Sequence, residues 1–277
     1  MQDRIVDRFF ANPASLPSMP EIAHRLLKAC DRADIDLGTL SHLVGQDQGL
    51  SVKLLRLANS ARFSPRHEIA TLKDAAATVG MTQLRDLSLA ACVAGAFPAV
   101  SGFDRLRFWR QCMACAGHAR TLAQACDVDE DQAYLAGLVL RTGELLMLMV
   151  DPEHTLQAEA DAHLPDSLMD HERRLMSVTH ADVSAELATR WRFPDTLTAA
   201  LRAASDPMAV RPFSRLGGVL RLAQVLSEAG DRGVDPLALM LETQRPLVEH
   251  LHLDLDWLGA HLTSWDQLTA GVDQLLH

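Results

Sequence analysis

Apolar side chains along this chain recur at spacings of three and four, and polar residues fill the positions between them, which is the period of a helix with one buried face. Leu50, Leu54 and Leu57 make such a stripe behind Asp47, a residue type that heads helices by accepting a hydrogen bond from the first turn. Upstream, Ser18-Met19-Pro20-Glu21 reads as a capping box opening a helix with Ile22, Leu26 and Leu27 that runs to about Asp31. Leu37, Leu40 and Leu43 mark a short helix after Asp36. Thr71 with Asp74 opens the next, Gly80 closes it, and Thr82 caps a helix reaching about Phe97. Strand-like alternation never exceeds a few residues, and no repeat of fixed period is found.

After a breaker at residues 97–102, residues 103–126 form a long amphipathic segment without proline, the expected central helix of a bundle. Residues 130–150 read as one further helix, apolar most of the way round and therefore buried, ending at Asp151-Pro152. Helices near 152–163, 167–178 and 179–192 follow, the last opened by Thr179 with Asp182, and another runs from Asp195 to about Ser205. Asp206-Pro207 and Arg211-Pro212 mark the clearest boundary. They divide the chain into a domain at 15–207 and a helical extension at 208–277 that packs on it. Composition agrees with an all-α protein: among 277 residues 48% are apolar, aromatics are only 5%, and Ala and Leu, both good helix formers, dominate.

Charge is unevenly spread. Residues 50–110 carry nine basic and four acidic side chains, and residues 234–277 carry seven acidic ones with only Arg245 opposing them. The net charge of −10 argues against nucleic acid as a partner, because phosphate neutralisation supplies most non-specific affinity. Lys53, Arg56 and Arg62 stay candidates for a local partner surface. Apolar runs such as Leu145 to Val150 fall short of the ~20 residues that span a bilayer. The first ten residues carry four charges and no apolar core of a leader peptide, so a cytoplasmic chain without membrane contact is expected. Cys30, Cys92, Cys112, Cys115 and Cys126 lie within helical segments and read as small buried hydrophobes.

Familiar catalytic motifs are missing: there is no phosphate-cradling glycine loop with lysine, no paired-histidine zinc helix and no nucleophile elbow. Cys112-x-x-Cys115-x-x-His118 has zinc-ligand residue types, but a helix fans these three positions apart, which favours buried thiols with a surface histidine. Asp182 serves the cap of its helix, and Asp170 and His171 share a charged face with Glu172, Arg173 and Arg174.

A succession of blocks carries a family resemblance. Leu16-Pro17 with Met19-Pro20 comes first. Leu43 through Asp47 and Leu50 follow, leading to Leu57-Ala58-Asn59-Ser60, and then Ile69, Leu72, Ala75-Ala76 and Val79-Gly80. Phe108-Trp109, Ala136-Gly137-Leu138, Gly143, Glu172, His180, Trp191 and Pro194 continue it. Over roughly residues 15–207 the chain resembles HDOD domains, the HD-related output domains of bacterial signalling proteins. The resemblance implies an HD-like multi-helix bundle preceded by an N-terminal helical subdomain.

It also implies descent from metal-dependent phosphohydrolases. Where a working HD enzyme has His-Asp after Gly-Leu-Leu, this chain has Leu140-Arg141; Gln111 stands where an earlier His is expected, Ala204-Ser205 replace a His pair, and His180 alone remains. No catalytic residue, metal ligand set or cofactor is therefore expected. The implied function is a non-catalytic regulatory or scaffold domain that binds separate signalling proteins, such as cyclic-nucleotide turnover enzymes, kinases or response regulators. Two alternatives are a sensor taking a nucleotide or other anion on Gln111, Arg141 and His180, and a residual metal-dependent phosphohydrolase. Asn59 is read as structural, ending its helix and tying down the turn at 61–67 through side-chain to backbone bonds.

Overall fold

The computed structural model describes residues 5–12, 16–30, 37–59 and 69–276, without the side chains of residues 27–30 and 37. Every regular element among the described residues is a helix. Two compact units are distinguished, one made of residues 17–99 with 270–277 and the other of residues 100–269 with the described part of 1–16.

The smaller unit contains α1 (Glu21–Cys30), α2 (Leu37–Gly45), α3 (Gln48–Ala58), α4 (Leu72–Val79) and α5 (Met81–Gly95), and the C-terminal helix Val272–Leu276 packs on α3 and α5. Helix starts follow the capping residues: Asp47 accepts from the Leu50 amide and Thr71 from the Asp74 amide. Leu50, Leu54 and Leu57 are buried as their spacing predicts. Thr82 is not a cap, however. Gly80, at φ +92°, both ends α4 and heads α5, and a reversal within one residue needs a backbone conformation that glycine adopts without steric cost. Asn59 acts as expected, donating from Nδ2 to the carbonyls of Leu55 (2.9 Å) and Ile69 (2.7 Å) and accepting at Oδ1 from the Ile69 amide (2.7 Å). The turn at 61–67 that it was expected to hold lies outside the described residues.

The larger unit runs through α6 (Arg105–Ala125), α7 (Glu130–Val139), α8 (Thr142–Val150), α9 (Pro152–Asp161), α10 (Leu168–Met176), α11 (His180–Arg190), α12 (Asp195–Ala203), α13 (Arg215–Arg232), α14 (Pro236–His250), α15 (Leu255–His261) and α16 (Trp265–Thr269). Helix α6 is its centre, with α7 and α13 packed along it. Leu220, Leu222, Ala223, Val225 and Leu226 of α13 are fully buried, and α13 also touches α12. The compact units thus divide at residues 17, 100 and 270, and residues on both sides of Pro207 share the larger one.

The single helix expected over 130–150 is two. Helix α7 ends at Val139, α8 begins at Thr142, and the Ser184 hydroxyl from α11 serves the break by donating to the Leu140 carbonyl (2.7 Å) and accepting from the Gly143 amide (2.7 Å). Helix ends leave amides and carbonyls without intrahelical partners, and an outside hydroxyl that supplies both makes the interruption tolerable. Gly143 is required by the same approach, since a Cβ there would stand 2.3 Å from the His180 carbonyl oxygen. By length and composition segment Glu130–Val150 would suffice to cross a bilayer, a criterion that single apolar runs understate, but 89% of that window is buried within the fold. Its apolar character is that of a core segment.

Candidate functional site

The three sequence-predicted pocket residues lie in one buried polar cluster at the helix break. Gln111 comes from the middle of α6, Arg141 from the turn between α7 and α8, and His180 from the first position of α11; they are 8%, 7% and 0% exposed. The Gln111 side-chain carbonyl accepts directly from the Arg141 guanidinium. Arg141 donates through Nε (3.0 Å) and Nη2 (2.6 Å) to Oε2 of Glu144 on α8. His180 lies close by but has its own partners, and no hydrogen bond among the described residues ties it to Arg141 or Gln111. Both carboxylate oxygens of Glu172 on α10 lie 2.9 Å from its Nδ1, its backbone amide donates to Glu172 (2.8 Å), and its Nε2 faces the Gln224 amide of α13 at 3.2 Å. Burial, the largest single influence, pulls the Arg141 guanidinium down, but the Glu144 charge and hydrogen bond together with the nearby Cys112 and Glu159 outweigh it and leave Arg141 above its ordinary range and cationic.

Sequence reasoning missed Glu144 and Glu172. Glu172 does not share the exposed face of Asp170 and His171; it is 1% exposed. It falls three residues after Met169 and four before Met176, both buried, so the helical stripe held the signal. Glu144 is the one acid of α8, and the signal for its partner was local, since Arg141 stands three residues before it at a spacing where side chains of a helical turn meet.

These two acids overturn the expectation that His180 stands alone as a possible metal donor. Glu144, Glu172 and His180 each offer an atom, and those atoms lie within 4.8 Å of one another. The set nevertheless does not fit a resident cation as it stands. Glu144 Oε2 is taken by Arg141, both Glu172 oxygens face His180, and Gln224 faces the other imidazole nitrogen. Glu144 Oε1 has no hydrogen-bond partner among the described residues, but one carboxylate oxygen does not make a coordination shell. The Arg141 guanidinium supplies the positive charge that the buried Glu144 calls for, and Glu172 is taken by His180.

Beside the network lies a small cavity lined by Arg107, Gln111, Arg141, Glu159, Glu228 and Arg232. At about 70 Å³ it is well below the few hundred Å³ of ordinary small-molecule sites. Its guanidinium groups already face acids: Arg107 pairs with Asp231 at 2.7 Å and Arg232 with Glu228 at 2.7 Å. Burial, reinforced by the Glu144 charge, pushes the Glu159 carboxyl up.

The other candidates are distributed elsewhere. Lys53 is half-buried and donates to the Leu275 carbonyl at 2.8 Å, so its ammonium holds the C-terminal helix of the smaller unit and is no open partner surface. Arg56 is exposed on the same helix, and Arg62 lies outside the described residues. Cys112 and Cys115 are fully buried, and burial pushes both thiols up, Cys115 to about 12, away from the thiolate a metal needs.

His118 is not on the surface, as its spacing from the cysteines suggested, but 4% exposed, and burial lowers its imidazole from 6.5 to about 4. Unfolded His118 takes up a proton near pH 6.5 and the folded residue only near pH 4, so the unfolded state binds more protons between these values. The contribution is fully present above pH 6.5 and is lost as pH falls toward 4, by about 3 kcal/mol in total. Urea unfolding of the wild type and of His118→Phe across this range should show the wild type losing that much more; parallel curves would remove the assignment.

Comparison with known proteins identifies the family and the fold. The HDOD domain family model matches residues 16–207. A crystal structure from Shewanella amazonensis SB2B, described provisionally as a phosphohydrolase, is 26% identical with a TM-score of 0.75 and 98% of each chain covered. An HDOD domain protein of unknown function from Geobacter sulfurreducens superposes with the same TM-score at 20% identity, covering 99% of this chain and 98% of its own. One from Marinobacter aquaeolei VT8, described provisionally as a signal transduction protein, has a TM-score of 0.71 at 22% identity, covering 94% of this chain and 58% of that one. An uncharacterized protein of Treponema pallidum (strain Nichols) is 29% identical over 196 residues, 68% of this chain but 37% of that longer protein.

Proposed function

Because this chain belongs to the HDOD domain family, we propose that it is a non-catalytic regulatory or scaffold domain of signal transduction that works by binding other signalling proteins. One observation carries the reading: at the break between α7 and α8 a guanidinium, Arg141, lies against Glu144, beside acid and imidazole groups that are already paired with each other. Metal-assisted phosphoester hydrolysis needs a cation with an open position for water, and a fixed organic cation offers no such position. The partners this reading supports are enzymes of cyclic-nucleotide turnover, kinases or response regulators. Arg56 remains the exposed basic residue through which to probe such contacts. The anion-sensor alternative gains little, since a phosphate would have to fit the small cavity and displace Asp231 and Glu228 from their arginines.

The test uses the full chain, equilibrated with Mn²⁺ and separately with Zn²⁺, freed of excess ion and assayed for bound metal and for hydrolysis of a chromogenic phosphodiester. Background metal and no turnover are expected. A stoichiometric ion with turnover that disappears in His180→Ala would overturn the reading.

A further inference from the structure

A cleft in the 100–269 unit lies away from the Arg141 network and plays no part in the function proposed above. Its volume is about 560 Å³, within the span of small-molecule sites. It lies between α6, the end of α13, the start of α14 and the segment joining α15 to α16, and Leu226, Leu237, Leu262 and Trp265 form its apolar walls. Trp265 is held in place by close packing, since a Cβ at Gly230 would stand 2.6 Å from its Cε3. The cleft therefore has a preformed aromatic wall that costs little to order on binding.

His118 reaches this cleft from α6. Its Nδ1 is shut off from solvent and has no hydrogen-bond partner among the described residues. Buried polar atoms nearly always find partners, and with Nδ1 closed off it is the other ring nitrogen, Nε2, also without a hydrogen bond among the described residues, that is left for an incoming group. Burial lowers the imidazole to about 4, so at neutral pH the ring is uncharged and carries one N–H and one bare nitrogen. No Lys or Arg lines the cleft, and the charged residues there are Asp235 and Asp266. Asp235 is occupied in part by capping α14, accepting from the Ala238 amide at 2.7 Å. Such a site repels anions, which excludes phosphates and carboxylates as its ligands.

We propose that this cleft binds a small uncharged aromatic alcohol, its ring against Trp265 and the leucines and its hydroxyl on the His118 imidazole. A hydroxyl suits a neutral imidazole because it can donate to one ring nitrogen or accept from the other. An aromatic ring suits the Trp265 wall because offset or edge-on ring pairs gain beyond the area they bury.

The probe is 2-phenylethanol, with phenylacetate as an anion of similar shape. Binding to the full chain is followed by NMR, through the imidazole nitrogen resonances of His118 and the indole N–H of Trp265. Saturable binding that shifts both residues is expected, with phenylacetate at least about tenfold weaker. Affinity should fall about tenfold in His118→Phe, which keeps the apolar bulk and removes the hydrogen bond. Leu262→Trp, which fills the half-buried rim, should abolish binding independently of His118. The proposal is overturned by an absence of saturable binding, by unchanged affinity in both variants, or by equal affinity for phenylacetate.

Discussion

Arg141→Met is expected to destabilise the larger unit by about 3 to 5 kcal/mol, because it strips from a carboxylate that the fold keeps out of water the only counter-ion paired with it among the described residues. Glu144 is 1% exposed, Arg141 reaches it through two N–H groups, and its second oxygen is already without a partner among the described residues. Removal of the guanidinium also leaves the Gln111 side-chain carbonyl without its donor. In thermal unfolding the loss corresponds to a fall in Tm on the order of 10 °C for a unit of this size. The double variant Arg141→Met/Glu144→Leu separates the cost of an orphaned charge from the worth of the pair. Replacing both partners by apolar groups of similar bulk should recover most of the loss, since desolvation consumes much of what a buried ion pair gains. If the double variant is as unstable as the two single losses added together, the pair is not the unit described here.

Gly143→Ala should cost about 3 kcal/mol or more, an unusually large penalty for one methyl group. The added carbon would lie 2.3 Å from the His180 carbonyl oxygen and 2.6 Å from the Ser184 amide nitrogen. Both are backbone atoms, so relief requires α8 and α11 to separate, and that separation breaks the Gly143 to Ser184 hydrogen bond and disturbs the His180 to Glu172 contact. Urea unfolding measures the loss. Amide hydrogen exchange at residues 180–184 should speed up with it, because these amides follow the contact between the two helices. A variant within 1 kcal/mol of wild type would show that the helices are not pressed together at this point.

Helical class, most helix starts and the burial of the Leu50 to Leu57 stripe were all readable from local spacing, because a capping side chain and an apolar stripe act within a few residues of one another. The family blocks pointed to Gln111, Arg141 and His180, and the first two are hydrogen-bonded to each other. The break at Leu140 was hidden because its cause, the Ser184 hydroxyl, lies more than forty residues away in another helix. Thr82 failed as a cap for a local reason, since the adjacent Gly80 had already reversed the chain.

The amino-acid order thus determined that this protein is an all-helical HDOD chain, and its resemblance to HD enzymes set Leu140-Arg141 where their His-Asp pair is expected. It did not determine that Arg141 and its neighbours would be shut off from water. The pairs themselves are close in the chain, Arg141 with Glu144 three residues apart and Glu172 with His180 eight, but Glu172 read as part of an exposed charged face and His118 as a surface residue, and the tertiary structure decided how deeply these groups are buried. The physical reason is that spacing along the chain specifies which side chains can meet and which side of a helix turns inward, whereas the loss of water around a charged pair depends on which other helices close over it.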